Sequence, residues 1–592
     1  MPISPYLSEI EFEGQDRVNL QPGSILVAVG PNNAGKSHFL AQLRAKLFGA
    51  SINGTAPENG LITGVHFNWN TNHQTTEDHL VKLATNNWSP LSGGFSAILP
   101  DGETKLSRYV SQEEIQQIAN QDQTFKQFLE LFVRWDEPIS RILESEWQEP
   151  RQRGGASLRL AQHDSPLDKV SDAFNIIFKQ PISVYDKRDG RIGFLLGRPA
   201  FNGPSLNSAP DTQTLNFMDE APKMCVQGMG MRNVFGLLAR FLTDNRSIIL
   251  MDEPEAFLHP PQAAELGELL GQLCQESGKQ IICATHDRNL LAGLARGASG
   301  NLRVRRFDYK LDTVTRNPVF NSKEVHQNPW ETIRNKSRVR YSNVLDALFS
   351  RRVILVEAER DALFYHETLD FLTNEDPQLE LHSDDYLFLP VGGNAEFAPM
   401  ITLMRELSTP VFVIGDLDLL ADEKRLVATA AAAGIPNHHH LAQLQNELFA
   451  TFETRYEQLP LPDEQQKMIN LRAAIQSLEG GTTPELVTAA ETLLNQIEKR
   501  HNQNRKNKIV SLMAKSLGRA EPNSPEGKLK TEILGILQTG GIHLLPIGEL
   551  EDFDRKLFET VGKQDWVAEA IAERVYASEK AQSFIRSVIT ER

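Results

Sequence analysis

The chain has 592 residues, 40% hydrophobic and 23% charged. That composition is ordinary for globular proteins, and the length exceeds what one core holds, so two or three domains are expected. Cys225, Cys274 and Cys283 stand in no CxxC or CxxH spacing, which argues against zinc sites and a disulfide framework. The opening MPISPYLSEIEF has no basic, then apolar, leader, and no apolar run is long enough to span a bilayer. A soluble, cytoplasmic chain with no membrane partner is therefore expected. The net charge of −16 disfavours a nucleic-acid partner only on average, because screening acts over about 10 Å. From Arg303 to Arg352 twelve Lys or Arg face five Asp or Glu, and from Lys499 to Lys530 nine face two.

In chain order, the first informative stretch is ILVAVGPNNAGKSHFL, residues 25–40. Ile25 to Val29 is an apolar run of strand length, and the loop Gly30, Asn32, Asn33, Gly35 fits GxxxxGK[ST] with Lys36 and Ser37, ahead of a helical pattern. In that context backbone N–H groups converge on phosphate oxygens, Lys36 bridges the outer phosphates of ATP and Ser37 ligates Mg²⁺. The interval from about 105 to 200, including SQEEIQQIANQDQTFKQFLELFVRW, reads as a helical insertion. VQGMGMRNVFGLLARF places Gly228 and Gly230 at the start of an amphipathic helix, a second anion site. SIILMDEPEAFLHP, residues 247–260, delivers Asp252 and Glu253 at the C-terminal end of a buried strand, where ligands bind in α/β sheets. Asp252 suits Mg²⁺, and Glu253, with Glu255 as the competing choice, suits orientation of an attacking water. QIICATHDRNLL ends a further strand in Thr285, His286 and Asp287, and His286 is a candidate γ-phosphate sensor.

Four such elements in this order resemble the ABC-type ATPase heads of the SMC, Rad50 and RecF relatives. DEPEAFLHP is similar to the Walker B and D-loop segment of the OLD (overcoming lysogenization defect) family. The resemblance implies two heads sandwiching ATP, so that Gly228 and Gly230 touch the nucleotide on the partner's Lys36, and hence a homodimer or higher homo-oligomer. QGMGMR lacks the serine of the common LSGG signature.

The second half opens on VILVEAERDA, where four apolar residues run into Glu357, Glu359 and Asp361. VFVIGDLDLL, residues 411–420, is another buried strand ending in Asp416 and Asp418, two carboxylates expected to point the same way from an extended segment. Buried carboxylates are costly unless something positive meets them, and Mg²⁺ is held by one or two carboxylates with a substrate phosphate. LFLPVGGNAEF supplies a further strand with a Gly-Gly turn. This set resembles the TOPRIM domain, VEAERD standing for VEGxxD with Ala358 in place of glycine and GDLD for DxD. Carried over, Glu357, Asp361, Asp416 and Asp418 are metal ligands, and Ala358 is expected to tighten the turn. In GIHLLPIGELEDF the resemblance implies a further glutamate, Glu551 with Glu549 competing, and then Lys563. Such a set suits two-metal phosphodiester hydrolysis, the lysine neutralising developing charge.

Residues 463–500 read as a helical hairpin. The basic tract from Lys499 to Lys530 beside the acids suggests contact with a DNA backbone. His438, His439 and His440 cannot converge on one ion, because consecutive helical residues point about 100° apart. The expected fold class is α/β: an ABC-type P-loop ATPase head over 1–310, a basic connector over 311–344, and a Rossmann-like TOPRIM domain over 345–592 with a helical insertion at about 425–540. The resemblance implies an ATP-regulated DNA endonuclease using Mg²⁺ or Mn²⁺, acting in bacterial defence against phage. Members of the OLD family act beside a helicase-like protein or beside a reverse transcriptase with its hybrid RNA–DNA, and the sequence does not choose between these partners. The rival is a non-cleaving, ATP-switched DNA clamp.

Overall fold

In the computed structural model, the described residues are chiefly 4–48, 61–70, 167–186, 192–197, 220–243, 246–298, 300–311, 318–326, 343–376, 382–457 and 505–590, with short strands between. The chain divides into two compact units, Met1–Phe349 and Ser350–Arg592. Among the described residues no helix is long and apolar enough to cross a membrane.

The first unit opens with β1 (Pro5–Phe12), β2 (Arg17–Asn19) and β3 (Ile25–Val29), followed by the helix Lys36–Phe48 and β4 (Ile62–Trp69). Antiparallel β2-β1-β4 forms one small sheet, and β5 (Trp88–Ser89), β6 (Gly94–Ile98) and β7 (Lys105–Arg108) form another. The main sheet takes β3 together with β8 (Val133–Trp135), β11 (Ile248–Asp252), β12 (Gln280–Ala284), β13 (Leu302–Leu311) and β14 (Pro318–Glu324). Between β8 and β11 the hairpin strands β9 (Ile182–Asp186) and β10 (Ile192–Leu196) pair with each other. The main order is β14-β13-β3-β12-β11-β8, and all its pairings are parallel except β14 with β13. Every residue of β3 and β12 is buried, the signature of central strands covered on both faces, which explains their unbroken apolar runs. Leu26, Ala28, Leu250, Ile282 and Phe307 of this sheet share one core with Phe39, Leu40 and Leu43 of the helix after the P-loop.

Two sequence expectations change here. The end of the stretch read as helical, Val133–Trp135, is an edge strand beside β11, because a β-branched and an aromatic residue fit a pleated surface. The rest of that stretch lies outside the described residues. The interval 105–200 also holds β7, β9 and β10 beside the helix Leu167–Phe178. Within the segment expected to be a connector, β14 pairs antiparallel with β13 over seven positions; its alternating exposure is that of an edge strand.

The second unit is a four-stranded parallel sheet, β16-β15-β17-β18, from β15 (Arg352–Val356), β16 (Tyr386–Pro390), β17 (Val411–Gly415) and β18 (Ile542–Leu544). Ile354, Val356 and Ile414 pack with Phe364, Leu369, Trp566 and Ile585 of the covering helices. Between β17 and β18 lie the helices Glu423–Ala432, His438–Glu457, 505–517 and Pro525–Gln538. The expected hairpin at 463–500 lies outside the described residues, apart from single positions.

Candidate functional site

Each unit gathers acidic residues at the C-terminal ends of its parallel strands. In the first, Gly30 leaves β3 at φ +146, and a Cβ there would stand 2.3 Å from the Phe307 carbonyl oxygen, so only glycine fits. Asn32 and Asn33 are exposed on the loop, and Ser37 is exposed on the first turn of the helix that follows. Lys36 is buried and donates 2.8 Å hydrogen bonds to the carbonyls of Gly30 and Pro31. Burial lowers its pKa to about 8, against the opposing pull of Glu253 and Asp252. The Ser37 hydroxyl donates to Asp252, whose pKa is raised by loss of water around the carboxyl and by Glu253.

Because β11 and β12 are neighbours, His286 stands next to the acids, its Nε2 3.6 Å from Oε1 of Glu253. Burial lowers the His286 pKa, as does Lys36. The two glutamates that compete for one role differ sharply. Glu253 is exposed, whereas Glu255 is only 8% exposed and accepts from Thr285 Oγ1 at 2.5 Å and the His286 amide at 3.3 Å. Glu255 thus ties the loop after β11 to the end of β12. Of the glycine pair, Gly228 has nothing near its Cβ direction, while a Cβ on Gly230 would lie 2.5 Å from the Phe257 carbonyl oxygen. Val226, Met229 and Phe257 are exposed around them, at 73%, 40% and 71%.

In the second unit, Glu357 follows β15, Asp416 follows β17, and Glu549 and Glu551 follow β18. The structure brings these together. The Asp416 amide donates to Glu357 Oε1 at 3.2 Å. Lys563 donates to Glu549 Oε2 at 2.6 Å and lies 3.9 Å from Glu551 Oε1. Burial raises the Glu357 pKa to about 7, with Asp418 and Asp361 adding to it. Asp416 is held well above the usual carboxylate range by burial and then by Glu357, Asp361, Asp418 and Glu549. Burial works against the Lys563 charge, yet the Glu549 hydrogen bond and the Glu551 charge hold its pKa above the ordinary value.

Three expectations are refined. Asp416 and Asp418 do not share an extended segment: Leu417–Ala421 is a 3₁₀ turn, driven by burial of Leu417, Leu419 and Leu420, which leaves Asp418 exposed. Asp361 has a structural role, its Oδ2 accepting from the Ala358 amide at 2.9 Å and so capping the helix Glu359–Glu375. Ala358 itself is extended at φ −136, ψ 165, which any L residue adopts, so the alanine brings no strain to the turn. His438 and His440 bond locally, to Ile435 and Gln443.

Sequence reading missed Arg360, whose Nη1 lies 3.7 Å from Glu551 Oε1, although it stands inside VEAERD. It also missed Asn394, directly after the Gly-Gly turn, which contacts Asp418. Further, a Cβ on Gly518 would come within 2.1 Å of the Ile547 carbonyl oxygen, and Lys530 donates to the carbonyls of Leu517 and Pro546. The helix 505–517, with Arg505, Lys506, Lys508 and Lys515, is thereby fixed to the loop that leads to Glu549.

The residues fit a hard cation. Six carboxylates, Glu357, Asp361, Asp416, Asp418, Glu549 and Glu551, act on one another, four of them (Glu357, Asp361, Glu549 and Glu551) also interacting with Lys563, and among the described residues Oε2 of the buried Glu551 has no hydrogen-bond partner. Carboxylate oxygens are the donors that Mg²⁺ and Mn²⁺ take. Among the described residues the tightest set of metal-type side chains lies elsewhere, at Glu9, Glu11 and His66. There Arg17 already pairs with both glutamates, at 3.3 and 2.9 Å.

Comparison with known families agrees with both halves. Residues 348–418 match the family described as overcoming lysogenization defect protein-like, TOPRIM domain. Residues 106–292 match the AAA domain, putative AbiEii toxin, Type IV TA system family. The chain carries an AAA-type ATPase domain and, behind it, an OLD-like TOPRIM domain. These two domains indicate ATPase and nuclease activity. The first match begins after the P-loop and takes in Gly228, Gly230, Asp252 and His286; the second takes in Glu357, Asp416 and Asp418. Among solved structures, the chain is similar to an Smc head domain from Pyrococcus furiosus bound to the C-terminal domain of ScpA. That likeness has 12% identity, covers 56% of this chain and 100% of that one, and has a TM-score of 0.31. An SMC head domain from Thermotoga maritima is similar at 13% identity, over 55% of this chain and 100% of that one, with a TM-score of 0.26.

Proposed function

We propose that this chain is an ATP-regulated, divalent-metal-dependent DNA endonuclease. The observation that carries the reading is the meeting of Glu357, Asp416 and Glu551 from three different strand ends, with Lys563 and Arg360 among them. Glu357, Asp416, Asp418 and Glu551 hold Mg²⁺ or Mn²⁺, with Asp361 setting the turn that carries Glu357. When bound, such ions polarise a phosphodiester and stabilise the charge that develops on it. Lys563 adds a fixed positive charge to the same end. The helix 505–517 supplies backbone contacts to DNA that position the substrate without reading its sequence.

In the ATPase unit Lys36, the loop Gly30 to Gly35 and Ser37 bind the phosphates, Asp252 and Ser37 hold Mg²⁺, Glu253 orients water and His286 senses the γ-phosphate. Two copies close over ATP through the exposed rim at Val226, Gly228, Met229 and Phe257, which suits a homodimer. A role in bacterial defence against phage rests on the OLD-type architecture.

Nicking of supercoiled plasmid tests the reading. Wild type is expected to cut with Mg²⁺ or Mn²⁺, Glu357→Ala and Asp416→Ala to be inactive, and Lys36→Ala to lose the response to nucleotide. Intact plasmid with wild type under every metal and nucleotide state defeats the nuclease reading and leaves the ATP-switched clamp.

A further inference from the structure

We infer that Asn394 and Arg425 are positioning residues that aim Asp418 at the metal, an inference that rests on the metal-dependent nuclease site proposed above. Asp418 is exposed at the third position after β17. An unrestrained side chain loses rotamer freedom on binding an ion, and a preset one does not. Asn394 Nδ2 donates to Asp418 Oδ1 at 3.1 Å, and Asn394 Oδ1 accepts from Arg425 Nη1 at 2.8 Å.

Arg425 is a donor only, so the oxygen of the Asn394 amide must face it and the NH₂ must face Asp418. The guanidinium therefore settles which way the amide points. Arg425 is itself held, its Nε 3.3 Å from Asp422 Oδ2 and its amide donating to Asp422 Oδ1 at 3.2 Å. The loop that carries Asn394 is anchored at the other ligand strand: the amides of Gly392 and Gly393 donate to the Glu357 carbonyl at 2.9 and 3.0 Å. Gly392 and Gly393 lie at φ 87 and 115, a path that favours glycine. One loop after β16 thus sets the main chain at Glu357 and the side chain at Asp418, which belong to different strands. Oδ2 of Asp418 is left for the ion.

The test is Mn²⁺ uptake by the full-length chain, measured by isothermal titration calorimetry without DNA or nucleotide. Asn394→Ala and Arg425→Ala are each expected to weaken Mn²⁺ binding by about tenfold, the lower end for groups that orient metal ligands. The double variant is expected to be no weaker than Asn394→Ala, since Arg425 acts through the amide. In plasmid nicking, the Mn²⁺ concentration for half-maximal rate should rise by the same factor, with the rate at saturating Mn²⁺ within about twofold of wild type. The control is Asn446→Ala, whose amide bonds only to the carbonyl of Ala442 in its own helix. Unchanged Mn²⁺ affinity in Asn394→Ala overturns the inference, whether or not activity or melting temperature falls. So does full additivity of the two substitutions. Wild type that takes up no Mn²⁺ overturns the nuclease reading itself, a distinguishable result.

Discussion

Glu255→Gln isolates the electrostatics of the ATPase core. The native carboxyl is 8% exposed and accepts from Thr285 Oγ1 and the His286 amide, and burial pushes its pKa from 4.5 up to about 7. Between those values, at about 1.4 kcal/mol per pH unit, lies about 3 kcal/mol of stability. Because the folded value is raised, the folded state holds the proton more tightly. The contribution is fully present below pH 4.5 and is lost as the pH rises through about 7. Glutamine keeps the acceptor for Thr285 and never ionises, so it lacks this dependence. It also puts an N–H where Glu255 Oε2 has no partner, a pH-independent cost of about 1–3 kcal/mol. The variant should therefore be the less stable form at pH 5 and gain on wild type by about 3 kcal/mol towards pH 8. The assay is urea unfolding in EDTA across this range, with the ATPase transition followed by hydrogen exchange in peptides from β11 and β12. A difference between variant and wild type that stays constant with pH refutes the assignment of the shift to burial.

At pH 8.5 ATP binding should take up protons, because phosphates raise a Lys36 pKa that burial holds at about 8 in the free chain; calorimetry in buffers of different ionisation enthalpy reads this directly, and no buffer dependence contradicts it. Gly230→Ala should destabilise the ATPase unit by about 1–3 kcal/mol even without nucleotide, since its Cβ would press on the Phe257 carbonyl. Gly228→Ala, in open space, should leave the melting temperature unchanged, which makes it the clean probe of nucleotide-dependent dimerisation by light scattering. Glu357→Gln and Asp416→Asn should each raise the melting temperature of the metal-free TOPRIM unit at pH 8 while abolishing nicking, because each relieves crowded, partly buried like charges; a lowered midpoint in both would contradict that account.

Local pattern determined much of this protein. The strand, glycine loop and helix at 25–48 and the apolar strands that end in Asp252, Glu357 and Asp416 are written in consecutive residues, because burial on both faces of a parallel strand leaves an unbroken apolar run. The matched ranges take in the strands that end in Asp252, Glu357 and Asp416 but not residues 25–48. Tertiary structure decided the rest. Edge strands read poorly from sequence, because Val133–Trp135 is only three residues long and Pro318–Glu324 is half-exposed, and their pairing is set by what lies beside them. Whether Glu253 or Glu255 faces water depends on Thr285, from a neighbouring strand. Likewise Asp418 leaves the extended path because three leucines are drawn into the core, Arg360 on the helix after Glu357 meets Glu551 from beyond β18, and Asn394 joins the site from the loop after β16. A carboxylate's role is fixed by its partners, and those partners come from distant parts of the chain that meet only when the sheet forms.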